Sequence, residues 1–192
     1  VGAELSLDVE KNLRELNAED TSTLQAIGRL RVAAWSSNIT VGTVPNNEWI
    51  DEFDSVSRHF GIFDGDKLIA AARFSVHESI EDVPESEVYS GVFHSSLKAP
   101  IASLNRLVTH PDYRGLGCSF YLDRIRLQKA KEMGCTCVIG HASDDRVEPL
   151  ERFGFLVVGN AKDYSPGHFL LNAGPAFVLY RTLLDFPIQP RH

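Results

Sequence analysis

The run Tyr113-Arg114-Gly115-Leu116-Gly117-Cys118-Ser119 lies between a stretch rich in apolar residues and a segment carrying Phe120, Leu122, Ile125 and Leu127. Glycines at 115 and 117 allow a tight turn that brings backbone N–H groups close to an anion, and the helix that opens there adds the positive end of its dipole. A pyrophosphate suits such a loop. Pro111 and Asp112 stop the preceding strand and start the turn, and Arg114 adds one positive charge. The run lacks the third glycine and later acid of the dinucleotide fingerprint, and the Gly-Lys-Ser/Thr ending of a nucleotide P-loop. Two glycines one residue apart also occur in strand-to-helix turns that bind nothing, so the surroundings must decide.

Proton-transfer chemistry points to His141. It follows the apolar Cys137-Val138-Ile139 and so stands at the C-terminal end of a predicted parallel strand, where α/β sheets place their ligand crevice. A base there could take a proton from an attacking group, and Asp144 or Asp145, just past the strand, is its candidate partner. His77, His94, His110 and His168, the acids Glu78 and Glu81, and the donors Ser143, Tyr164 and Cys118 are weaker candidates. Arg73 and Arg106 each interrupt an apolar strand, and an arginine there needs a carboxylate partner, which Asp51 and Asp54 can supply. The pair is either an ion-pair network or an anion subsite for the substrate. No serine, histidine and acid order and no metal-ligand spacing is present. Three cysteines cannot pair completely; Cys135 and Cys137 are expected as small core residues on one side of a strand.

The elements that would position these groups follow from periodicity and turn signals. A short strand within 11–17 precedes a helix over 22–35, whose Leu24, Ile27, Leu30 and Ala34 recur at helical spacing. Segment 39–47 reads as loop and 49–56 as a short helix. Strands 58–63 and 67–76 join at Asp64-Gly65-Asp66, a hairpin turn signal. Residues 78–100 form an irregular excursion, with one short strand over 88–93, of the kind that lies over a site. Strand 102–109, helix 116–133 closed by Gly134, strand 135–141, helix 146–153 and strand 155–159 then alternate as a βαβ unit, and the last strand is 176–183. The expected fold is α/β: a mixed central sheet, antiparallel at first and parallel later, flanked by helices.

With 192 residues and 43% hydrophobic content, one domain over 1–192 is expected. A net charge of -7 argues against nucleic acid or an anionic membrane as the main partner. No stretch approaches the ~20 apolar residues of a membrane span, so a cytoplasmic location is expected. A homodimer is compatible with the chain.

The run Leu107-Val108-Thr109-His110-Pro111-Asp112-Tyr113-Arg114-Gly115-Leu116-Gly117 resembles the acetyl-CoA binding motif of the GCN5-related N-acetyltransferase (GNAT) family, and Leu150-Glu151-Arg152-Phe153-Gly154-Phe155 resembles its second cofactor-side motif. The resemblance implies that the parallel strands 102–109 and 135–141 splay apart, that acetyl-CoA or another acyl-CoA is co-substrate bound in that splay, and that the acyl group passes to an amine of a small molecule or peptide, which a base at His141 would keep neutral. It implies that backbone groups of Leu107, Val108 and Thr109 meet the pantetheine arm and that the loop of Arg114, Gly115, Leu116, Gly117, Cys118 and Ser119 holds the pyrophosphate. Ser119 stands where glycine or alanine is usual, and Leu150 where many members have a tyrosine that protonates the departing thiolate. A thiol with a pKa of ~8.5 leaves without much help at neutral pH.

Trp49, Asp51-Glu52-Phe53-Asp54, Arg73 and Arg106 are similar to acyl-homoserine-lactone synthases and long-chain N-acyl amino acid synthases, although Ser103 occupies the place of a usual glutamate. That leaves acyl-chain length open. Two other functions stay open: a non-catalytic acyl-CoA sensor, and a carrier-protein-dependent signal synthase, against which the acidic chain argues.

Overall fold

The computed structural model describes residues 7–36, 39–41, 47–93, 97–161, 170–171 and 175–184. The chain runs β1 (Leu13–Leu16), α1 (Thr21–Trp35), β2 (Ile39–Val41), β3 (Arg58–Asp64), β4 (Lys67–His77), β5 (Ile101–Thr109), α2 (Cys118–Glu132), β6 (Cys137–Ser143), α3 (Asp144–Glu151), β7 (Leu156–Asn160), β8 (Leu170–Leu171) and β9 (Ala176–Thr182). Seven strands form one sheet in the order β1-β3-β4-β5-β6-β9-β7, and β2 pairs separately with β8. Only β5 and β6 are parallel in the large sheet; its other neighbours are antiparallel. This is the expected mixed α/β sheet, with one change: β9 inserts between β6 and β7, so the βαβ unit ends at β6.

Each surface of the sheet takes a different cover because residues alternate along strands. Ala70, Ala72 and Phe74 of β4, with Ala102, Leu104, Val138 and Leu179, pack under Leu122, Leu127 and Ala130 of α2 and Leu150 of α3. On the other surface, Ala71 and Val108 meet Ile27, Leu30 and Ala34 of α1. Further along that surface Ile101, Cys137, Ile139 and Val178 meet Val83 and Tyr89. Helix α2 ends in a Schellman arrangement: Gly134 N–H donates to Lys131 O and Cys135 N–H to Ala130 O, with Gly134 at φ 69°.

Several expectations change. Residues 49–51 are irregular and 52–56 are turn rather than a helix, because their acids bond to nearby amides: Asp51 Oδ1 accepts from Phe53 N–H at 3.0 Å and Asp54 Oδ2 from Asp51 N–H at 2.9 Å. The excursion after β4 holds two 3-10 turns, Ile80–Asp82 and Ser86–Tyr89, and no strand over 88–93; Val88 and Tyr89 are buried instead. Strand β2 occupies part of the expected loop 39–47. Strand β6 begins at Cys137, so Cys135 precedes it, and the two cysteines enter different apolar clusters rather than one side of a strand. Among the described residues no helix is long and apolar enough to cross a membrane and no group of side chains could hold a metal ion.

Three histidines are held below the ordinary value of 6.5, chiefly by burial: His59, His77 and His141. His59 is fully buried, donating from Nε2 to Asp54 O at 2.8 Å. A group whose folded pKa is depressed binds more protons when unfolded, so stability falls as pH drops below 6.5. Urea melts at pH 7.5 and 5.5 should show a lower midpoint at 5.5, and His59→Gln should lessen the difference; a midpoint flat across that range would contradict this.

Candidate active site

The parallel pairing of β5 and β6 runs from Ile101↔Cys137 to Leu104↔Gly140 and then stops, although both strands continue. At the last pair a Cβ on Gly140 would lie 3.1 Å from Leu104 O, so glycine permits the closest approach just before the strands part. Beyond that point they enclose one wall of a cleft of about 790 Å³.

Strand β5 is also bulged. Ala71 pairs with Val108 and Arg73 with Asn105, so Arg106 and Leu107 together oppose Ala72. Arg106 takes the extra turn at φ 52°, a left-handed conformation uncommon outside glycine. The bulge puts Asn105 and Val108 on the same surface of the sheet although they are three residues apart: Asn105 Oδ1 accepts from Arg73 Nε, and Val108 packs with Ala71 under α1.

At one end of the cleft the loop turns through Gly115 at φ 83° and Gly117 at φ 80°, the latter capping α2. The first amides of a helix have no intrahelical acceptor, and Gly117, Cys118 and Ser119 line the cleft with them. Leu107, Val108, Thr109, Arg114 and Gly115 line it as well. Leu116, the remaining predicted loop residue, is exposed and is not in the lining. Arg114 is anchored, donating from Nη2 to Ala34 O at 3.1 Å. Burial pushes the Cys118 thiol up, so it stays protonated.

At the other end stands His141, whose Nε2 lies 3.3 Å from Glu85 Oε2 and whose Nδ1 lies 3.4 Å from Tyr89 Oη. Burial depresses the imidazole pKa; Glu85 opposes that and Arg106 adds to it. Burial also pushes the Tyr89 phenol far up. Glu85 Oε1 pairs with Arg106 Nη2 at 2.6 Å, and the same nitrogen lies 3.2 Å from Asp51 Oδ2. Glu85, at φ 61°, is the partner of His141 that the sequence did not single out. Of the two acids predicted for that role, Asp144 is exposed at the first position of α3 and is not among the described residues lining the cleft, whereas Asp145 lines it but is exposed and accepts from Ser143 Oγ.

Arg73 and Arg106 take the carboxylates expected of them. Arg73 Nη1 reaches Asp51 Oδ1 at 2.5 Å and Asp54 Oδ1 at 3.0 Å. Asp54 is also held by both Nη atoms of Arg31, at 2.6 and 2.8 Å. Burial alone would raise the Asp54 carboxyl, but Arg31 and Arg73 hold it well below the carboxylate range. Arg73 is 0% exposed and outside the cleft lining, whereas Arg106 lines it between Trp35 and Trp49, 5.9 Å from each ring centroid. Arg31 had a signal: it sits on the apolar side of α1, four residues after Ile27 and three before Ala34.

The α2 and α3 wall holds the buried Asp123 and Arg126 and the half-buried Arg146, a charged group also not foreseen. Arg126 Nη1 donates to Arg73 O at 3.0 Å and Asn105 O at 3.3 Å, so α2 holds the backbone beside the bulge. Leu150 stands in this wall, 9% exposed. His94, Tyr164 and His168 lie outside the described residues.

A seven-stranded mixed sheet splayed at its single parallel pair, with an amide-lined loop at the start of the following helix, defines an acyltransferase-type fold. The model of the Acetyltransferase (GNAT) family matches residues 24–155, and the chain belongs to that family. Among solved structures, the ribosomal-protein-S18-alanine N-acetyltransferase from Escherichia coli is similar over 94% of this chain and 98% of that one, with 14% identity and a TM-score of 0.58. FeeM, an N-acyl amino acid synthase from uncultured soil microbes, covers 88% of this chain and 89% of its own at 14% identity and a TM-score of 0.62. A chain of the NatC complex bound to Gag peptide and CoA covers 90% and 98% at 15% identity and a TM-score of 0.59. A search of curated proteins found no match.

Two outcomes test this geometry. Asp54→Ala leaves Arg31 and Arg73 buried without their shared carboxylate and should cost about 3 to 5 kcal/mol in a urea melt; a loss under about 1 kcal/mol, the worth of a surface pair, would show the network to be solvated. Gly117→Glu places a side chain at φ 80° and a negative charge at the loop, and calorimetry should find acyl-CoA binding abolished. Unchanged affinity would remove the loop from the site.

Proposed function

We propose that the chain transfers an acyl group from acyl-CoA directly to an amine of a small molecule or peptide. The observation that carries this reading is one cleft lined both by loop amides at a helix start and by Glu85 and His141. The loop fits a pyrophosphate, since its glycines are open on the outside and the first-turn amides of α2 lack helical acceptors. In this reading, backbone groups of Leu107, Val108 and Thr109 hold the pantetheine arm in the splay and the amides near Val108 polarise the thioester carbonyl. Most of the rate comes from positioning.

His141 receives the amine proton while Glu85 stabilises the resulting imidazolium. Burial keeps the imidazole uncharged at neutral pH, so the base is ready without prior deprotonation. Arg106 presents one guanidinium to the acceptor space, and Arg73 acts behind it by holding Asp51. Acetyl and longer acyl groups both remain within this proposal. Leu150 favours a second reading, a non-catalytic acyl-CoA sensor, because the wall holds leucine where a proton donor would serve the leaving thiol.

Thiol release with acetyl-CoA, longer acyl-CoAs and an amine panel separates the two. Turnover that depends on an amine is expected; acyl-CoA binding with no turnover for any amine would favour the sensor. His141→Ala should lower kcat by about 10²-fold or more, keep acyl-CoA affinity, and remove the loss of rate that protonation of His141, at a pH below 6.5, is expected to cause in the unaltered chain. An unaltered pH profile would take His141 off the reaction path.

A further inference from the structure

The α2 and α3 wall carries a charge pattern that the proposal above leaves unused. Asp123, 1% exposed, serves two guanidinium groups: its Oδ1 takes Arg126 Nη2 at 2.6 Å and its Oδ2 takes Arg146 Nη2 at 2.5 Å. Arg126 is fully engaged, because it also donates to Leu122 O, Arg73 O and Asn105 O. Arg146 differs. Its side chain is 23% exposed, it lines the cleft, and among the described residues Asp123 is its one hydrogen-bond partner. Two cations sharing one carboxylate leave an uncompensated positive charge in a wall of low dielectric, which favours a nearby anion. Asp145 of α3 also lines the cleft but is exposed and accepts from Ser143 Oγ; the other α3 carboxylates, Asp144, Glu148 and Glu151, are exposed and outside the lining, and Glu148 pairs with Arg152. Four residues after Arg146, on the same side of α3, Leu150 presents an apolar surface to the same cleft.

We propose that Arg146 stabilises the thiolate that departs during acyl transfer. The inference rests on the acyl-CoA reading. The amine nitrogen bonds to the thioester carbon, the C–S bond breaks, and its electron pair leaves on sulfur. The amine proton goes to the Glu85 and His141 pair, and the thiolate takes a proton later from solvent. A thiolate is a weak enough base to leave without an acid, as a cysteine side chain's pKa of ~8.5 illustrates; it gains from a fixed cation aimed at the charge that develops on sulfur. Arginine stays charged at any working pH. The other charged or titratable groups on the cleft near this step are Glu85, Arg106 and His141 at the acceptor end, Asp123, Arg126 and Asp145 beside Arg146, and the neutral Cys118 thiol.

The test is the ionisation of the CoA thiol on the protein, followed by thiolate ultraviolet absorbance against pH, for the unaltered chain, Arg146→Gln and Arg146→Lys. Desulfo-CoA affinity checks that each variant still folds and binds. The bound thiol should ionise at a pH lower by about 1 to 3 than its free value, return to the free value in Arg146→Gln, and be partly restored in Arg146→Lys. In turnover, Arg146→Gln should lower kcat by about 10²-fold with KM for acyl-CoA unchanged. CoA bound to both chains with the same thiol ionisation would overturn the role of Arg146 and leave the acyl-CoA reading standing. CoA that fails to bind the unaltered chain would overturn both.

Discussion

Asp54 accepts from Arg31 and Arg73 where water does not reach, all three side chains being 1% exposed or less. Taking such charges out of water costs several kcal/mol per ion, and only close pairing with further hydrogen bonds repays it. The pairing fixes where α1 and the 51–54 turn sit relative to the sheet, since Arg31 comes from the helix, Asp54 from the turn and Arg73 from β4. It then continues outward. Asp51, held by Arg73, reaches Arg106; Arg106 reaches Glu85; Glu85 reaches His141. The Glu85 and His141 end of the cleft, proposed for the acceptor, is therefore the exposed end of a chain of ion pairs whose buried end is structural.

The opening of the cleft depends on two backbone features that act with this network. Gly140 lets β6 come close to β5 at the last parallel pair, and the bulge at Arg106 and Leu107 turns β5 just after it. A bulge leaves backbone groups without ladder partners, and Arg126 supplies donors to the carbonyls of Arg73 and Asn105 at that place. One helix thus opens with the loop proposed for the pyrophosphate and, two turns later, holds the strand distortion that shapes the splay.

Much of this could be read from residue order. The hairpin around Gly65, the strand, loop and helix around Gly115 and Gly117, and the Gly134 stop each rest on local chemistry, and each appears where local chemistry puts it. The pairing of Arg73 with Asp51 and Asp54 was legible as well, because an arginine in an apolar strand has few other fates. The turn at 51–54 was misread as helix because the same aspartates that bind the arginines also take the amides a helix would need. Glu85 and the bulge were hidden for a different reason. Both use left-handed backbone at residues other than glycine, and tertiary contacts alone stabilise that, leaving no local mark. Arg31, Asp123 and Arg126 were visible in principle, as charges placed on the buried sides of amphipathic helices.

The charges divide the cleft. Around the end proposed for the acceptor, Arg31, Arg73 and Arg106 are matched one for one by Asp51, Asp54 and Glu85, and burial favours the uncharged form of His141. An acceptor bringing a carboxylate to Arg106 must displace Glu85 from it and leave that carboxylate beside His141. An acceptor bringing an ammonium group meets a carboxylate already held in place, with a neutral base against it. The α2 and α3 wall has the opposite character, one buried carboxylate between two guanidinium groups. A reaction in which positive charge is removed at one end while negative charge appears on a leaving atom matches that polarity. Reversing it would put the developing anion against Glu85 and the protonated amine against Arg146, and would lose both interactions.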